Sequence, residues 1–145
     1  MTNIRMARLQ DSDSINALSL HLGYEIATQL VAEERLQCLI DSSNDDVWVF
    51  EDAGIILGWI HVYKAHRLAS AAFFEIGGLV VTPEARNKGI GRQLVEFACE
   101  QAQNQNIALR VRCNAKRQDT HEFYERMGFI TTKSQHVFEM YLGDD

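Results

Sequence analysis

Apolar residues recur along this chain with a helical period in some segments and as short continuous runs in others, an order that predicts a mixed α/β domain. Helical spacing of three or four positions joins Ile15, Leu18 and Leu22, and it recurs between Leu30 and Ile40. Short apolar runs bounded by polar or glycine clusters predict strands. The predicted elements, in chain order, are a strand at 4–7, the two helices, strands at 47–50 and 55–63, a strand at 73–81, a helix at 91–104, a strand at 107–113, a helix at 119–127 and closing strands at 130–132 and 137–142.

Gly77 and Gly78 lie between the two apolar parts of the segment 73–81. Two adjacent glycines suit the tight turn of a hairpin, and glycine equally suits a bulge within one continuous strand. Periodicity alone therefore leaves open whether this segment is one bulged strand or two short ones.

A basic loop with two glycines follows this segment and precedes the predicted helix at 91–104. Its sequence is Arg86-Asn87-Lys88-Gly89-Ile90-Gly91, and Arg92 comes next. Glycine lets a backbone approach a ligand closely, and the first amides of a helix lack acceptors while carrying the positive end of its dipole. With cationic side chains around it, the loop predicts a site for the phosphate groups of a polyanionic cofactor.

The spacing of the glycines separates the known kinds of phosphate-binding loop. A nucleotide-binding P-loop needs Gly-Lys-Ser/Thr, but Lys88 precedes Gly89 and neither Ser nor Thr follows Gly91. A dinucleotide fingerprint needs a third glycine where this chain has Leu94. The remaining pattern is Arg/Gln-x-x-Gly-x-Gly/Ala. With the downstream Phe123-Tyr124-x-x-x-Gly128-Phe129, it makes residues 75–129 resemble the acetyl-CoA core of the GCN5-related N-acetyltransferase (GNAT) superfamily.

The resemblance implies both a fold and an activity. The fold would be α/β, an α+β mixed sheet that is twisted and mostly antiparallel, with six to seven strands, about four flanking helices and splayed central strands. It favours one bulged strand at 73–81. The activity would be transfer of the acetyl group of acetyl-CoA, the co-substrate, directly to an amino group of a small molecule or protein, a small molecule being favoured. The alternative is a catalytically silent coenzyme A or acyl-CoA binding or sensing module.

The same resemblance assigns residues to the cofactor and to the developing oxyanion. The backbone of Val81 would contact the pantetheine arm, and the Leu79 amide would stabilise the oxyanion as a preorganised donor. The expected cofactor-binding residues are Leu79, Val80, Val81, Arg86, Asn87, Lys88, Gly89, Ile90, Gly91, Arg92, Asn114, Arg117, Phe123 and Tyr124.

Two side chains are candidates for proton transfer. Glu75 occupies a position where members of the superfamily carry a general base, and a base is useful because an alkylammonium is mostly charged at neutral pH. A solvated glutamate, or one that binds the substrate cation without taking its proton, is an open alternative, and His21, His61 and His66 are further candidates. Tyr124 resembles the residue that protonates the departing thiolate and is the favoured catalytic candidate; the alternative is that it only belongs to the apolar face of its helix.

Composition limits the expected domain number, partners and location of the protein. The chain has 145 residues, of which 46% are apolar, so we expect a single domain spanning 1–145. The net charge of −6 argues against nucleic acid as a partner, and no apolar run reaches membrane-spanning length. Without a signal-peptide pattern we expect a cytoplasmic protein. Cys38, Cys99 and Cys113 are widely spaced, which favours reduced thiols and predicts no metal site. A homodimer is compatible with the superfamily.

Overall fold

The computed structural model describes residues 3–23 and 25–143, and its backbone groups into two compact units, residues 1–112 and 113–145. Five strands and three α-helices form the described part of the first unit. They are β1 (Ile4–Met6), α1 (Ser12–Leu18), α2 (Gln29–Asp41), β2 (Asp45–Asp52), β3 (Ile55–Ala65), β4 (Phe73–Val81), α3 (Ile90–Asn104) and β5 (Leu109–Val111). The second unit contains α4 (Gln118–Arg126). None of the helices in these ranges has the length and apolar character needed to span a bilayer.

The strands form one sheet in the order β1-β2-β3-β4-β5. All neighbours are antiparallel except β4 and β5, which run parallel. Helix α3 covers one face, where its Leu94 and Val95 are fully buried and its Phe97 ring meets Trp48 edge to face. Ile60 and Val62 belong to the same buried core. Because side chains alternate along a strand, Trp59, His61 and Tyr63 of β3 lie on the opposite face of the sheet.

Segment 73–81 is one continuous strand, and it carries a bulge. Opposite it on β3, His61 pairs with Gly78 while Val62 pairs with Ile76, so Gly77 is the extra residue. The hairpin alternative is therefore wrong, and the bulged strand is confirmed. The extra residue shifts the alternation of β4 by one position. Beyond the bulge, the backbone groups that face β3 and those that face the opposite edge of β4 therefore exchange places.

The α+β mixed-sheet class is confirmed, but the sheet of the described residues has five strands rather than six to seven. The closing strands expected at 130–132 and 137–142 are absent, because residues 129–143 pair with no strand. Their apolar side chains are open to solvent; Val137, Phe138 and Leu142 are 83–90% exposed. An apolar alternating segment predicts a strand only where a neighbour completes its hydrogen bonds, and sequence periodicity does not supply that neighbour.

A part-buried ion-pair cluster connects β1 to the turn before α1 and to β2. The Arg5 guanidinium donates to both carboxylate oxygens of Asp11, at 2.8 and 2.9 Å, and its Nε donates to Glu51 at 2.8 Å. Asp11 is 6% exposed and also accepts the backbone N–H of Arg8. The hydrogen bonds from Arg5 hold the pKa of Asp11 below its usual range.

We expect Asp11→Asn to lower the free energy of unfolding at pH 7 by about 2 kcal/mol, because it removes charged hydrogen bonds from Arg5, which is 26% exposed and keeps its bond to Glu51. Since the pKa of Asp11 is lower in the folded state, its stabilisation is complete above the unfolded value and is lost as pH falls through the folded one. Urea denaturation at pH 7 and pH 3 should therefore show the difference shrinking in acid. Asp13→Asn, at an exposed position of α1, is the control. An Asp11 variant as stable as the wild type at pH 7 would contradict the assignment.

Candidate active site

The basic loop leads into α3 with its amides open. Gly89 is the N-cap residue with φ +77°, a left-handed conformation that favours glycine, and the first helical hydrogen bond is from the Gln93 N–H to the Gly89 carbonyl at 3.0 Å. The N–H groups of Ile90, Gly91 and Arg92 thus precede the hydrogen-bonded turns. The first turn of α3 holds no acidic residue. Exposed basic side chains surround this helix end, so it has the geometry of an anion site.

One of those basic side chains is shared with a neighbour. Arg92 Nε lies 3.4 Å from a carboxylate oxygen of Glu96 one turn further along α3, and both side chains are more than half exposed. Such a surface pair is weak and leaves the guanidinium free to turn toward a ligand. Asn87 has φ 69°, a conformation that asparagine adopts more readily than most residues.

The edge of β4 that faces β5 is open over its second half. The pairing with β5 ends at Ile76 and Val111, so β5 offers no partner from Gly77 onward. The Thr82 N–H donates to the Leu57 carbonyl of β3 at 2.8 Å. Hydrogen-bonded positions alternate along an antiparallel pair, which turns the amides of Leu79 and Val81 away from β3 and toward the open edge.

Val80 lies between these two residues and differs from them. The same alternation places its amide in the ladder with β3, opposite Trp59, and its side chain is buried. Of the three residues expected to contact a cofactor here, Leu79 and Val81 therefore have their backbone groups available, whereas Val80 contributes to the core.

The two glycines at the bulge are required by the side chains of β3. A Cβ on Gly77 would lie 2.8 Å from His61 Nδ1, and one on Gly78 would lie 2.8 Å from the Trp59 ring. Both distances are shorter than any real contact, so only glycine fits. Trp59 Nε1 is buried without a hydrogen-bond partner among the described residues, so its N–H is an unused donor near the two glycines of β4.

The Glu75 carboxylate is buried and accepts a hydrogen bond at one of its two oxygens. Glu75 is only 4% exposed, and its Oε2 accepts a 2.6 Å hydrogen bond from the Tyr63 hydroxyl. Arg112 Nε lies 3.3 Å from Oε1, an ion pair by distance whose angle does not make a hydrogen bond. Oε1 therefore has no hydrogen-bond partner in the described part of the chain. Burial and the bond to Glu75 raise the pKa of Tyr63, which keeps the hydroxyl protonated as a donor.

His61 is positioned by a second carboxylate. Its Nε2 lies 2.7 Å from Asp45 Oδ1, and its Nδ1 is the atom nearest to Gly77. The His61 and Tyr63 rings are neighbours, with centroids 5.8 Å apart. Burial, followed by the charge of Asp45, raises the pKa of the adjacent Asp46. A histidine oriented by a carboxylate at one nitrogen has the other free for proton transfer, so this pair is a second candidate base.

Arginines gather beside Glu75. The Arg110 guanidinium carbon lies 4.2 Å from the centroid of the Phe73 ring, and that of Arg67 lies 5.4 Å from the same centroid. Arg110 is the β5 residue paired in register with Glu75. A short arginine-rich patch thus borders the acidic side chains.

The second unit contains Tyr124 in an apolar setting. Tyr124 is buried, and its ring meets those of Phe123 and Phe129 edge to face, with centroids 5.0 and 5.3 Å apart. Burial, with a smaller contribution from Cys113, raises the pKa of Tyr124 above its ordinary range. The hydroxyl is therefore a neutral proton donor at any physiological pH.

Asn114 and Arg117 shape the entry to α4. Asn114 Oδ1 accepts the Lys116 N–H at 2.9 Å, while its carbonyl accepts the Arg117 N–H at 3.0 Å and lies 2.9 Å from His121 Nε2. Arg117 is the N-cap residue of α4. The Asn114 amide oxygen is thus used within its own turn.

Sequence reasoning found Glu75 and the loop and named His61 as a further candidate, but it missed Tyr63, Arg112 and the Asp45 partner of His61. These groups come from β2, β3 and the end of β5, far apart in sequence. A usable signal existed, because polar or amphipathic side chains alternate at Trp59, His61 and Tyr63 opposite the core-facing positions.

Comparison with known proteins gives a consistent result. The model of the family described as acetyltransferase (GNAT) domain matches residues 15–141. An aminoalkylphosphonate N-acetyltransferase of Salmonella typhimurium is 32% identical over 129 residues, which cover 87% of this chain and 83% of that protein. Two solved structures share the fold. An aminoglycoside antibiotic 6'-N-acetyltransferase from Acinetobacter haemolyticus has a TM-score of 0.81 at 12% identity, with 98% of this chain and 100% of that chain covered. A transcriptional regulator from Bacillus halodurans has a TM-score of 0.84 at 21% identity, with 97% and 100% covered.

Proposed function

The chain belongs to the GNAT acetyltransferase family and is an acetyl-CoA-dependent N-acetyltransferase, and we propose that its acceptor is a small primary amine bound beside Glu75. One observation carries the proposal: the buried Oε1 of Glu75 lacks a hydrogen bond, on the same strand whose open edge leads to the anion site of α3. An amine placed there would lie between a carboxylate and the cofactor. The relative's acceptor, an aminoalkylphosphonate, supports a small molecule over a protein.

The cofactor would be held along one continuous path. The pyrophosphate would accept hydrogen bonds from the open amides at the start of α3, with Arg86, Lys88 and Arg92 supplying positive charge. The pantetheine arm would then run along β4, where the Val81 amide faces the open edge. This path ends at Leu79, which would place the thioester beside the glycine pair.

The reaction forms a carbon–nitrogen bond and breaks a carbon–sulfur bond. The amine nitrogen attacks the thioester carbon, the carbonyl oxygen gains negative charge that the Leu79 amide would stabilise, and the carbon–sulfur bond then breaks. The proton lost by the amine would go to Glu75. The proton gained by the thiolate sulfur would come from Tyr124, whose hydroxyl is protonated.

We propose that residues 1–145 form one domain. The family model spans residues 15–141 and so includes the Tyr124 segment as well as the sheet. We place the reaction in the cytoplasm, because acetyl-CoA is its donor and the free cysteines suit a reducing compartment.

A panel of amines tests the acceptor class. Release of free coenzyme A thiol should occur with acetyl-CoA and short primary amines, and it should be much slower with peptides bearing lysine or a free N-terminus. Efficient turnover of peptides alone would contradict the small-molecule proposal. Stabilisation by acetyl-CoA without thiol release on any acceptor would instead indicate a silent binding module.

We expect Tyr124→Phe to slow turnover by about 10- to 100-fold while leaving acetyl-CoA affinity nearly unchanged. The coenzyme thiolate is a fair leaving group, so an acid accelerates its departure without being indispensable. Steady-state kinetics and a thermal shift with acetyl-CoA separate the two effects. Phe129→Leu, a change on the other ring packed against Tyr124, controls for packing. Unchanged turnover in the Phe variant would rule out the acid role.

A further inference from the structure

Three guanidinium groups lie close together on the face of the sheet that carries Glu75. Arg110 and Arg67 both stack on Phe73, while Arg112 is paired with Glu75. Among the described residues, neither Arg67 nor Arg110 lies within ion-pair distance of a carboxylate. The patch therefore holds three positive charges and one negative charge, on a chain whose net charge is −6.

Such a patch is unfavourable without a further anion. Like charges near one another repel, so these guanidiniums favour a further anion beside them. The guanidinium carbons of Arg110 and Arg67 lie 4.2 and 5.4 Å from the Phe73 ring centroid, and Arg67 donates one N–H to the His66 carbonyl, so each guanidinium keeps further N–H groups that can donate to a ligand. Planar, fixed donors of this kind suit bidentate binding of a phosphonate, phosphate or carboxylate group.

The patch is adjacent to the acidic side chain of the site. Arg110 pairs in register with Glu75, and neighbouring strands lie about 4.8 Å apart. Glu75 Oε1, which has no hydrogen bond and lies 3.3 Å from Arg112 Nε, is thus separated from the guanidinium of Arg110 by a distance that a short carbon chain spans.

We propose that the acceptor is a zwitterion, a primary amine with an anionic group a few carbons away. Its ammonium would lie at Glu75 and its anionic group at Arg110 and Arg67. This inference rests on the proposed function and adds the charge of the acceptor to it. Because two guanidiniums are available, a phosphonate with up to two negative charges should bind more tightly than a carboxylate of the same length.

Three acceptors of similar length test the proposal with the full-length protein: 2-aminoethylphosphonate, β-alanine and propylamine. We expect kcat/KM to fall in that order, with the phosphonate favoured over propylamine by at least about tenfold. Arg110→Gln should raise KM for 2-aminoethylphosphonate by about 10- to 100-fold, the usual effect of losing a charged hydrogen bond. It should leave kcat/KM for propylamine within about twofold.

Arg35→Gln, at an exposed arginine of α2, is the matched control and should change kcat/KM for neither acceptor. Equal use of propylamine and 2-aminoethylphosphonate by the wild type would overturn the proposal. So would an Arg110→Gln variant that binds acetyl-CoA normally but loses both acceptors equally. Should Arg110→Gln fail to fold, Arg67→Gln carries the same test, because its side chain lies on the outer side of the patch and is exposed.

Binding without chemistry separates this inference from the proposed function. Calorimetric titration of the coenzyme A complex with ethylphosphonate, which has no amine, should give heat with the wild type and at least tenfold weaker binding with Arg110→Gln. If no amine is acetylated but this binding depends on Arg110, the proposed function fails and the anion site stands. If amines are acetylated and ethylphosphonate does not bind, the anion site fails alone.

Discussion

Gly89→Asp is expected to abolish the stabilisation of this protein by acetyl-CoA. The left-handed backbone at Gly89, with φ +77°, disfavours any side chain, and a carboxylate there adds negative charge where the pyrophosphate would lie. At about 4 Å and a surface-like dielectric, the repulsion is of the order of 1 to 4 kcal/mol, so affinity should fall at least about 100-fold when strain is included.

The measurement is a thermal unfolding series with and without acetyl-CoA. At a concentration 100 times the dissociation constant, a ligand stabilises the folded state by about 2.7 kcal/mol, a shift of several degrees for a chain of this size. After a 100-fold loss of affinity the same concentration gives about 0.4 kcal/mol, or roughly one degree. The two outcomes are easily distinguished.

Gly54→Asp is a control matched both in the residue introduced and in the backbone conformation. Gly54 lies in the turn between β2 and β3 with φ +80°, and a Cβ there, as at Gly89, would meet nothing within 4 Å. The same residue is thus introduced into the same backbone conformation far along the chain from the α3 loop. It should lower the unfolding temperature without changing the shift produced by acetyl-CoA. A normal shift in Gly89→Asp would show that the loop does not hold the cofactor.

The strand, loop and helix around Gly89 were predictable because their signals are local. Glycine spacing, the apolar run before it and the amphipathic run after it all fall within neighbouring residues, and local backbone physics decides their structure. The choice at Gly77 and Gly78 was different. Both glycines are explained by Trp59 and His61 of the opposite strand, and periodicity within one segment contains no information about that contact.

The closing strands and the surroundings of Glu75 also depend on contacts that a single segment of sequence does not contain. Residues 137–142 form a short, mostly apolar run typical of a strand, but pairing requires a partner that the segment itself cannot specify. Tyr63, Arg112 and Arg110 surround Glu75 because of strand order and the bulge, which together fix which side chains share a face. The position of Glu75 on β4 could therefore be predicted from sequence, whereas its hydrogen-bond partners required the register.

Glu75→Gln is expected to lower kcat by about 100- to 10,000-fold while leaving acetyl-CoA binding intact. The amide keeps the size of the side chain, and its oxygen can still accept the hydrogen bond from Tyr63, but it cannot take a proton. If Glu75 is the base, kcat should fall while KM for the amine changes little. If Glu75 only binds the substrate cation, KM should rise while kcat changes little.

His61→Asn distinguishes the two candidate bases. His61 is held by Asp45 on one side and faces Gly77 on the other, so it could receive the amine proton in place of Glu75. The charged or titratable groups beside it are Asp45, Asp46 and Tyr63, with Glu75 reached through Tyr63. With Glu75 as the base, His61→Asn should keep kcat within about tenfold and preserve the shape of the pH profile. A large loss of kcat in His61→Asn, together with a nearly active Glu75→Gln, would transfer the base role to the Asp45–His61 pair.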